Sequence, residues 1–336
     1  MADYKGIKGF TIPTVSSDPS NLAQGQMWYN STTDTLKGVE AGVGAWASGG
    51  NVNTARFALA SAKSGTQTAA LIFAGATPGD PNLSQTKTES YNGTSWTEVG
   101  DIAVAVAEAT GAGTQAAALC YGGEIQGPPW GNYPLHNESW DGTSWSEVND
   151  VLVARTSAAG FGVQTAAMFV GGWGSAPPAG VRALSETWNG TSWTEGNDLV
   201  GARNYLQGCG TTTAGLIAGG SSPGATATVE SWNGTSWTEV ADLNEAKYNN
   251  VILGTQTLAL SVGGSNPTFS PNPTANVESW NGTSWTEVAN VATARASAAG
   301  AGTTALGLVA SGNPSSTTAT EEWTVPDTAT VTVTTS

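Results

Sequence analysis

Three observations in this 336-residue sequence predict an all-β fold: a six-bladed β-propeller of four-stranded blades, its ring closed by an N-terminal strand that completes the last blade. A tryptophan-bearing phrase recurs every 43–49 residues, glycine and tryptophan are abundant (44 and 14), and charged residues are only 11 %. Ordinary globular chains carry about 25 % charged residues and about 7 % glycine. Long surface helices laced with Glu and Lys are therefore excluded, and the tryptophans demand a burial that a disordered chain does not offer.

The phrase first reads Glu89-Ser90-Tyr91-Asn92-Gly93-Thr94-Ser95-Trp96-Thr97-Glu98-Val99. It returns around Trp140 and Trp145, Trp188 and Trp193, Trp232 and Trp237, and Trp280 and Trp285, with a truncated sixth copy from Glu321-Glu322-Trp323. The spacing matches propeller blades of about 40–50 residues, and the Gly, Thr and Trp content disfavours a helical solenoid of similar period.

Each unit divides into four strands. The first begins at a basic residue (Arg56, Arg155, Arg203, Lys247, Arg295), replaced by Val106 in the second unit. The second is an apolar run such as 165–172, without strict alternation, which suits a strand covered on both faces. The third and fourth form the tryptophan hairpin about an Asn-Gly pair, whose two positions suit a type I′ turn. A two-residue turn pairs Tyr91 with Thr94 and Glu89 with Trp96. The alternative pairs Tyr91 with Trp96 and sets Glu89 against Glu98, an unfavourable like-charge pair. The same choice recurs at Glu138/Glu147, Glu186/Glu195, Glu230/Glu239 and Glu278/Glu287, and the Asn-Gly register is the expected one. Repetition of these glutamates predicts a framework role, in ion pairs with the basic residues at 56, 155, 203, 247 and 295.

The ends of the array are complementary. The second tryptophan of each phrase precedes the next basic residue by ten positions, as Trp145 precedes Arg155, and Trp46 precedes Arg56 by the same interval. Trp46 thus marks a fourth strand with no first strand before it, whereas Trp323 lacks its second arm. The segment around Trp46 is expected to complete the blade begun at Arg295, removing two free sheet edges. The organisation predicted is an N-terminal attachment or oligomerisation arm over residues 1–40 and a propeller over 41–336.

A basic residue at the start, Gly-Gly after the second strand and a spaced aromatic pair resemble kelch repeats over roughly residues 41–325. The aromatics here stand five apart and the hairpin is shorter than in most kelch repeats. The wording Trp-Asn-Gly-Thr-Ser-Trp-Thr-Glu-Val with Gly-Thr-Gln-Thr-Ala-Ala is similar to kelch-like proteins of marine bacteriophages. The leader Gly25-Gln26-Met27-Trp28-Tyr29-Asn30-Ser31-Thr32-Thr33-Asp34-Thr35-Leu36-Lys37 is similar to the start of phage tail-fibre and other virion proteins. These resemblances imply a structural component of a phage particle.

Composition narrows the chemistry. A net charge of −15 leaves no basic face for nucleic acid. No apolar run approaches the ~18 residues of a membrane span, and the N-terminus has no apolar core of a signal peptide. Cys120 and Cys209 lie far apart, form no CxxC pair and read as two buried thiols. Kelch resemblance raises the copper radical oxidases, but their site needs two histidines and His136 is the single one; a zinc site of histidines fails likewise. A Ser-His-Asp arrangement would depend on the same loop histidine. Glycoside hydrolysis needs two carboxylates in unlike environments, and the repeated glutamates predict like ones. A sialidase-like reading lacks an arginine cluster off the repeat, where Arg182 stands alone. The Asn-x-Ser/Thr sequons are mostly the hairpin turns. No enzyme, no cofactor and no metal are expected.

Strand alternation places the variable loops between strands two and three on one face with the connections from strand four to the next strand one. Binding residues concentrate in loops on a rigid scaffold, so Trp130, Tyr133, His136, Trp173, Arg182 and Phe269 are the candidate ligand or partner contacts. Phe10, Ile12, Trp28 and Tyr29 are the candidates in the attachment arm. The function expected is a non-enzymatic virion protein decorating a particle (capsid or tail fibre) or attaching to a host-surface glycan. It is made in the host cytoplasm, with other virion proteins as partners through the arm and a possible homo-oligomer. The alternative is a bacterial carbohydrate-binding propeller lectin.

Overall fold

The computed structural model describes residues 12–20, 26–40, 42–77, 83–127, 131–175, 179–266, 268, 272–313, 317–326 and 329–333. The chain forms two compact units, Met1–Gly44 with Val325–Ser336, and Ala45–Thr324. The boundary differs from the expected one: residues 41–44 and 325–336 fall with the N-terminal unit. The cause at the C-terminus is strand Ala329–Thr332, which pairs antiparallel with Thr35–Glu40.

Among its described residues the larger unit is all-β and propeller-like, built from four-stranded antiparallel sheets with no helix. The first sheet contains Ala60–Ser61, Ala70–Phe73, Thr88–Tyr91 and Trp96–Glu98. The second contains Thr110–Thr114, Ala117–Tyr121, Asn137–Trp140 and Trp145–Glu147. The third contains Ala159–Val163, Ala166–Val170, Ser185–Trp188 and Trp193–Glu195. The fourth contains Gln207–Thr211, Ala214–Ala218, Val229–Trp232 and Trp237–Val240. The fifth contains Val251–Gly254, Ala259–Val262, Val277–Trp280 and Trp285–Val288. In the sixth, Ala299–Gly302, Leu306–Ala310 and Thr320–Thr324 are joined by Ala45–Ser48 from the other end of the chain, with Trp46 opposite Trp323.

The second strand of each sheet is apolar on both faces because each face meets a different neighbour. In the first sheet, Leu71 and Phe73 share a core with Ala118, Cys120 and Trp140 of the second. Ile72 and Tyr91 turn the other way, to Leu308 and Ala310 of the sixth. Close approach explains the glycines in the first strands: a Cβ on Gly300 would come within 2.3 Å of Val251 Cγ1.

The hairpin register is the rejected one. Tyr91 faces Trp96 and Glu89 faces Glu98, and the pairs Glu138/Glu147, Glu186/Glu195, Glu230/Glu239 and Glu278/Glu287 do the same. The turn is longer than Asn-Gly alone: the Asn92 side chain accepts from the backbone N–H groups of Thr94 and Ser95, both at 2.9 Å. The expected clash does not arise because the two carboxylates have unlike partners. Glu89 is buried against Arg56 at 2.9 Å and accepts from the backbone N–H groups of Asn53 and Thr54. Glu98 is half-exposed and meets Lys87 at 2.8 Å.

The anticipated ion pairs are all present, as Arg155–Glu186, Arg203–Glu230, Lys247–Glu278 and Arg295–Glu321 besides Arg56–Glu89, at 2.5–3.1 Å. Each glutamate also receives at least one backbone N–H from the segment leading into its basic partner, as from Ala292 and Thr293 onto Glu321 and from Asn244 onto Glu278.

In the smaller unit, Thr14–Val15 runs parallel to Met27–Asn30, which pairs antiparallel with Thr35–Glu40. Asp18 organises it, accepting from Trp28 Nε1 (2.9 Å), Asn30 Nδ2 (2.8 Å) and Lys37 Nζ (2.6 Å). These bonds, Lys37 first, hold the Asp18 carboxyl down at about 2.

Candidate recognition site at the strand starts

Two residues beyond each basic position, and beyond Val106 in the second unit, the backbone enters the left-handed region. Ala58, Glu108, Ser157, Tyr205, Asn249 and Ser297 all have φ between 53° and 55°, a conformation costing roughly 1–2 kcal/mol for a residue with a Cβ. The structure sustains it through hydrogen bonds between successive sheets. Glu108 N–H donates to Ala58 O, Ser157 to Glu108, Tyr205 to Ser157, Asn249 to Tyr205, Ser297 to Asn249, and Ala58 to Ser297, at 2.7–3.1 Å. The six bonds return to their starting residue.

All six residues line one cavity of about 30 Å³, room for about two waters. Gln207 also lines it and accepts from the Lys63 ammonium. Lys63 reaches that position because the chain beyond Ser61 leaves its own sheet. Ser64 N–H donates to Gly113 O and Ser64 Oγ to Gly162 O, both at 2.8 Å. This departure is why the first strand of the first sheet is only two residues long. Burial pulls the Lys63 amine down to about 8 and pushes the nearby Cys209 thiol up to about 12.

The side chains on the six left-handed positions differ, and one sector is acidic and aromatic. Glu108 Oε2 accepts from Ser157 Oγ and, at 3.3 Å, from Thr156 Oγ1. Burial raises the Glu108 carboxyl, and burial with the Glu108 charge raises that of Glu124. The neighbouring Tyr205 hydroxyl is pushed up to about 12, first by the Glu108 charge and then by burial. Tyr133 is raised by burial and by Glu124 and Glu108. The rings of Tyr205 and Tyr248 lie 5.7 Å apart. Backbone bridges bring the loops to these strand starts: Ala107 pairs with Glu124, Thr156 with Trp173 and Tyr248 with Ser265.

Of the residues chosen from sequence, Tyr133 and Trp173 belong to this sector, and Trp173 is 37 % exposed. Arg182 is half-buried beside Gly174, its backbone bonded to Gly172 and Arg203. His136 is a correction: it is buried in the second sheet, with Nε2 3.8 Å from Cys120 Sγ, and its site is not on the loop surface. Burial draws its imidazole down to about 4. Trp28 is likewise wholly buried, as the Asp18-bonded core of the smaller unit rather than a surface contact. Tyr29 is half-buried with its hydroxyl on Asp34, and Ile12 is half-buried. Trp130, Phe269 and Phe10 lie outside the described residues.

Sequence reasoning missed Glu108, Tyr205 and Tyr248. For Glu108 and Tyr205 a signal was available as variation: positions 58, 108, 157, 205, 249 and 297 carry Ala, Glu, Ser, Tyr, Asn and Ser at the same place in the repeat, and Tyr248 stands one position before the fifth of them. No protein-family model and no curated protein matches this sequence.

Proposed function

We propose that this chain is a non-enzymatic recognition protein, a closed six-bladed propeller that presents the strand-start face to a binding partner. Closure is supported by the returning cycle of six hydrogen bonds and by the sheet that joins Ala45–Ser48 to Thr320–Thr324. Recognition is supported by one observation above the others: carboxylate and aromatic side chains, Glu108, Glu124, Tyr133, Trp173, Tyr205 and Tyr248, converge on one sector of an otherwise repetitive scaffold. The proposed setting is a phage virion, with residues 1–44 and 325–336 as the attachment unit. It rests on the leader's similarity to virion proteins. Mass spectrometry of purified particles tests it, and absence of the chain from particles would refute it. Trp173→Ala and Tyr133→Ala are expected to weaken attachment to host cells at unchanged melting temperature.

A lectin reading has its own observation. The tryptophan phrase continues with valine at 99, 148, 240 and 288, but with Gly196 in the third unit. An open cleft of about 570 Å³ lies there, lined by Thr187, Glu195, Gly196, Asn197, Trp232, Gly234 and Thr235. A Cβ on Gly196 meets nothing closer than 3.7 Å, so Gly196→Val places an isopropyl group in the cleft without a steric clash at Cβ. Sugar binding abolished by that change favours the lectin.

A further inference from the structure

We infer that the cleft between the third and fourth sheets binds one neutral N-acetylated amino sugar, its acetamido group taking the places of a glutamine and a valine that the other junctions do not both lack. The inference rests on the lectin reading of that cleft and names the sugar class it takes.

Successive sheets are clamped by a repeated glutamine. Gln115 Nε2 reaches from the second sheet to Tyr91 O and Ser90 Oγ of the first, and Gln164 Nε2 from the third to Trp140 O and Ser139 Oγ of the second. Gln256 ties the fifth sheet to Trp232 O and Ser231 Oγ in the same way, and Gln67 ties the first to Trp323 O of the sixth. The carbonyl bonds measure 2.5–2.7 Å. Two junctions carry threonine in place of the glutamine: Thr212 between the third and fourth sheets, and Thr304 between the fifth and sixth. The backbone there is placed as before, since Trp232 Nε1 donates to Thr212 O at 2.9 Å as Trp188 Nε1 does to Gln164 O. Trp188 O and Thr187 Oγ1, the counterparts of Trp140 O and Ser139 Oγ, therefore receive no glutamine amide. The Thr187 hydroxyl turns instead to Met168 Sδ at 3.4 Å.

The second missing side chain belongs to the same wall. Val99, Val148 and Val240 each pack against the tryptophan-bearing core of the following sheet, and Val288 keeps that residue type in the fifth unit. In the third unit the place is held by Gly196, where a Cβ would lie 3.9 Å from Thr187 Oγ1. Gly49 has the corresponding place in the sixth sheet, but a Cβ there would meet the Tyr91 hydroxyl and the Glu322 carboxylate at 3.1 Å, so that space is filled. Among the described residues, only the junction of the third and fourth sheets lacks both side chains. The open cleft of about 570 Å³ lies at this junction, within the range of about 300–1,000 Å³ common to small-molecule sites.

The lining specifies the ligand. Acceptors that elsewhere hold a carboxamide require an N–H donor, and the place of an isopropyl group suits a methyl; an acetamido group carries both. The exposed rim offers acceptors for sugar hydroxyls. Glu195 supplies a carboxylate, and Asn197 Nδ2 donates across the junction to Thr235 O at 2.7 Å, leaving Oδ1 to accept. That carboxylate and a net charge of −15 repel an acidic sugar, so the ligand is neutral.

Isothermal titration of the full chain with N-acetylglucosamine and N-acetylgalactosamine, and with glucose and galactose, tests the inference. At least one acetylated sugar is expected to bind once per chain. Its parent sugar should bind at least about tenfold more weakly, because a site built around an N–H donor rejects the analogue that lacks it. Thr212→Gln, which rebuilds the clamp from within the chain, and Gly196→Val are each expected to weaken binding at least tenfold at a retained or raised melting temperature. Either variant suffices should the other not fold. Thr304→Gln makes the same change at the other threonine junction and is expected to leave binding unchanged. Failure of both acetylated sugars to bind, several equivalent sites per chain, affinity that survives both cleft variants, or loss of binding on Thr304→Gln would overturn the inference. Glucose or galactose bound as tightly as the acetylated sugars, and lost on Gly196→Val, removes the inference and leaves the lectin reading standing. Binding by none of the four sugars removes both.

Discussion

Arg56 Nη2 lies 2.9 Å from Glu89 Oε1, and neither side chain has any solvent exposure. Arg56 Nη1 also donates to the carbonyls of Ala74 and Lys87, each at 2.7 Å, so one guanidinium ties together the ends of the second and third strands. Arg56→Ala leaves Glu89 buried with only backbone and Asn53 donors. The expected cost is about 3–5 kcal/mol, read as a fall in the urea midpoint. In a double-mutant cycle, Arg56→Ala with Glu89→Ala should cost less than the two single changes together.

The second sheet has no such cation, because Val106 occupies the basic position. Its glutamate, Glu138, keeps the backbone N–H groups of Ala103 (2.8 Å) and Val104 (3.1 Å), and burial raises its carboxyl. The adjacent His136 accounts for a predicted acid sensitivity. In the unfolded chain this imidazole takes a proton near 6.5, and in the folded chain only near 4. Between those values the unfolded state binds more protons, so the contribution present above pH 6.5 is lost as pH falls to about 4. The loss is at most roughly 3 kcal/mol. His136→Gln is expected to flatten this part of the stability profile when urea midpoints at pH 7 and pH 4 are compared.

Glu108 has the opposite sign. Its folded carboxyl holds a proton to higher pH than in the unfolded chain, so stability falls as pH rises through the interval between the two values. Glu108→Gln should therefore be more stable than the parent at pH 7, with an advantage that shrinks on acidification. A melting temperature for the variant below that of the parent at neutral pH would contradict the assignment.

The Trp46 indole donates to Ala289 O at 3.0 Å and lies 5.3 Å from the Trp323 ring. Trp46→Ala removes both contacts from a half-buried site and should cost about 2 kcal/mol. Deletion of residues 1–50 exposes the edge strand Thr320–Thr324 along its whole length. Thermal unfolding should then begin at a much lower temperature and be accompanied by aggregation. Identical melting curves for the truncated and full chains would show that this strand is dispensable.

The hairpin turns offer a test of independence. The side chains of Asn92, Asn233 and Asn281 each accept two backbone N–H bonds within their own turn. Substitution of any one by Ala is expected to cost about 1 kcal/mol. Because the turns belong to different sheets, the triple variant should show additive losses in chemical denaturation.

Much of this architecture was legible in local pattern. The ten-residue interval that relates Trp46 to Arg56 anticipated the pairing of Trp46 with Trp323, and repetition of Glu and Arg anticipated their ion pairs. The hairpin register was not legible, because local sequence shows the like charges of Glu89 and Glu98 and not the donors that separate their environments. Those donors, Arg56 and the Asn53 and Thr54 amides, come from more than thirty positions away. Within the candidate site, Tyr133 and Trp173 stood out as off-repeat aromatics, whereas Glu108 and Tyr205 were concealed inside the repeat.

By itself, the sequence determined the repeat, its four-strand unit and the partners that neutralise the buried glutamates. Each follows from short-range periodicity, which records which face of a strand is buried. Tertiary structure alone decided the fate of individual side chains: His136 and Trp28 inside, Lys63 extended toward the fourth sheet, and Glu108 bonded to the hydroxyls of Thr156 and Ser157 from the next sheet. These outcomes depend on groups brought together from distant positions, where desolvation and hydrogen bonding set the balance and no local pattern records the partner.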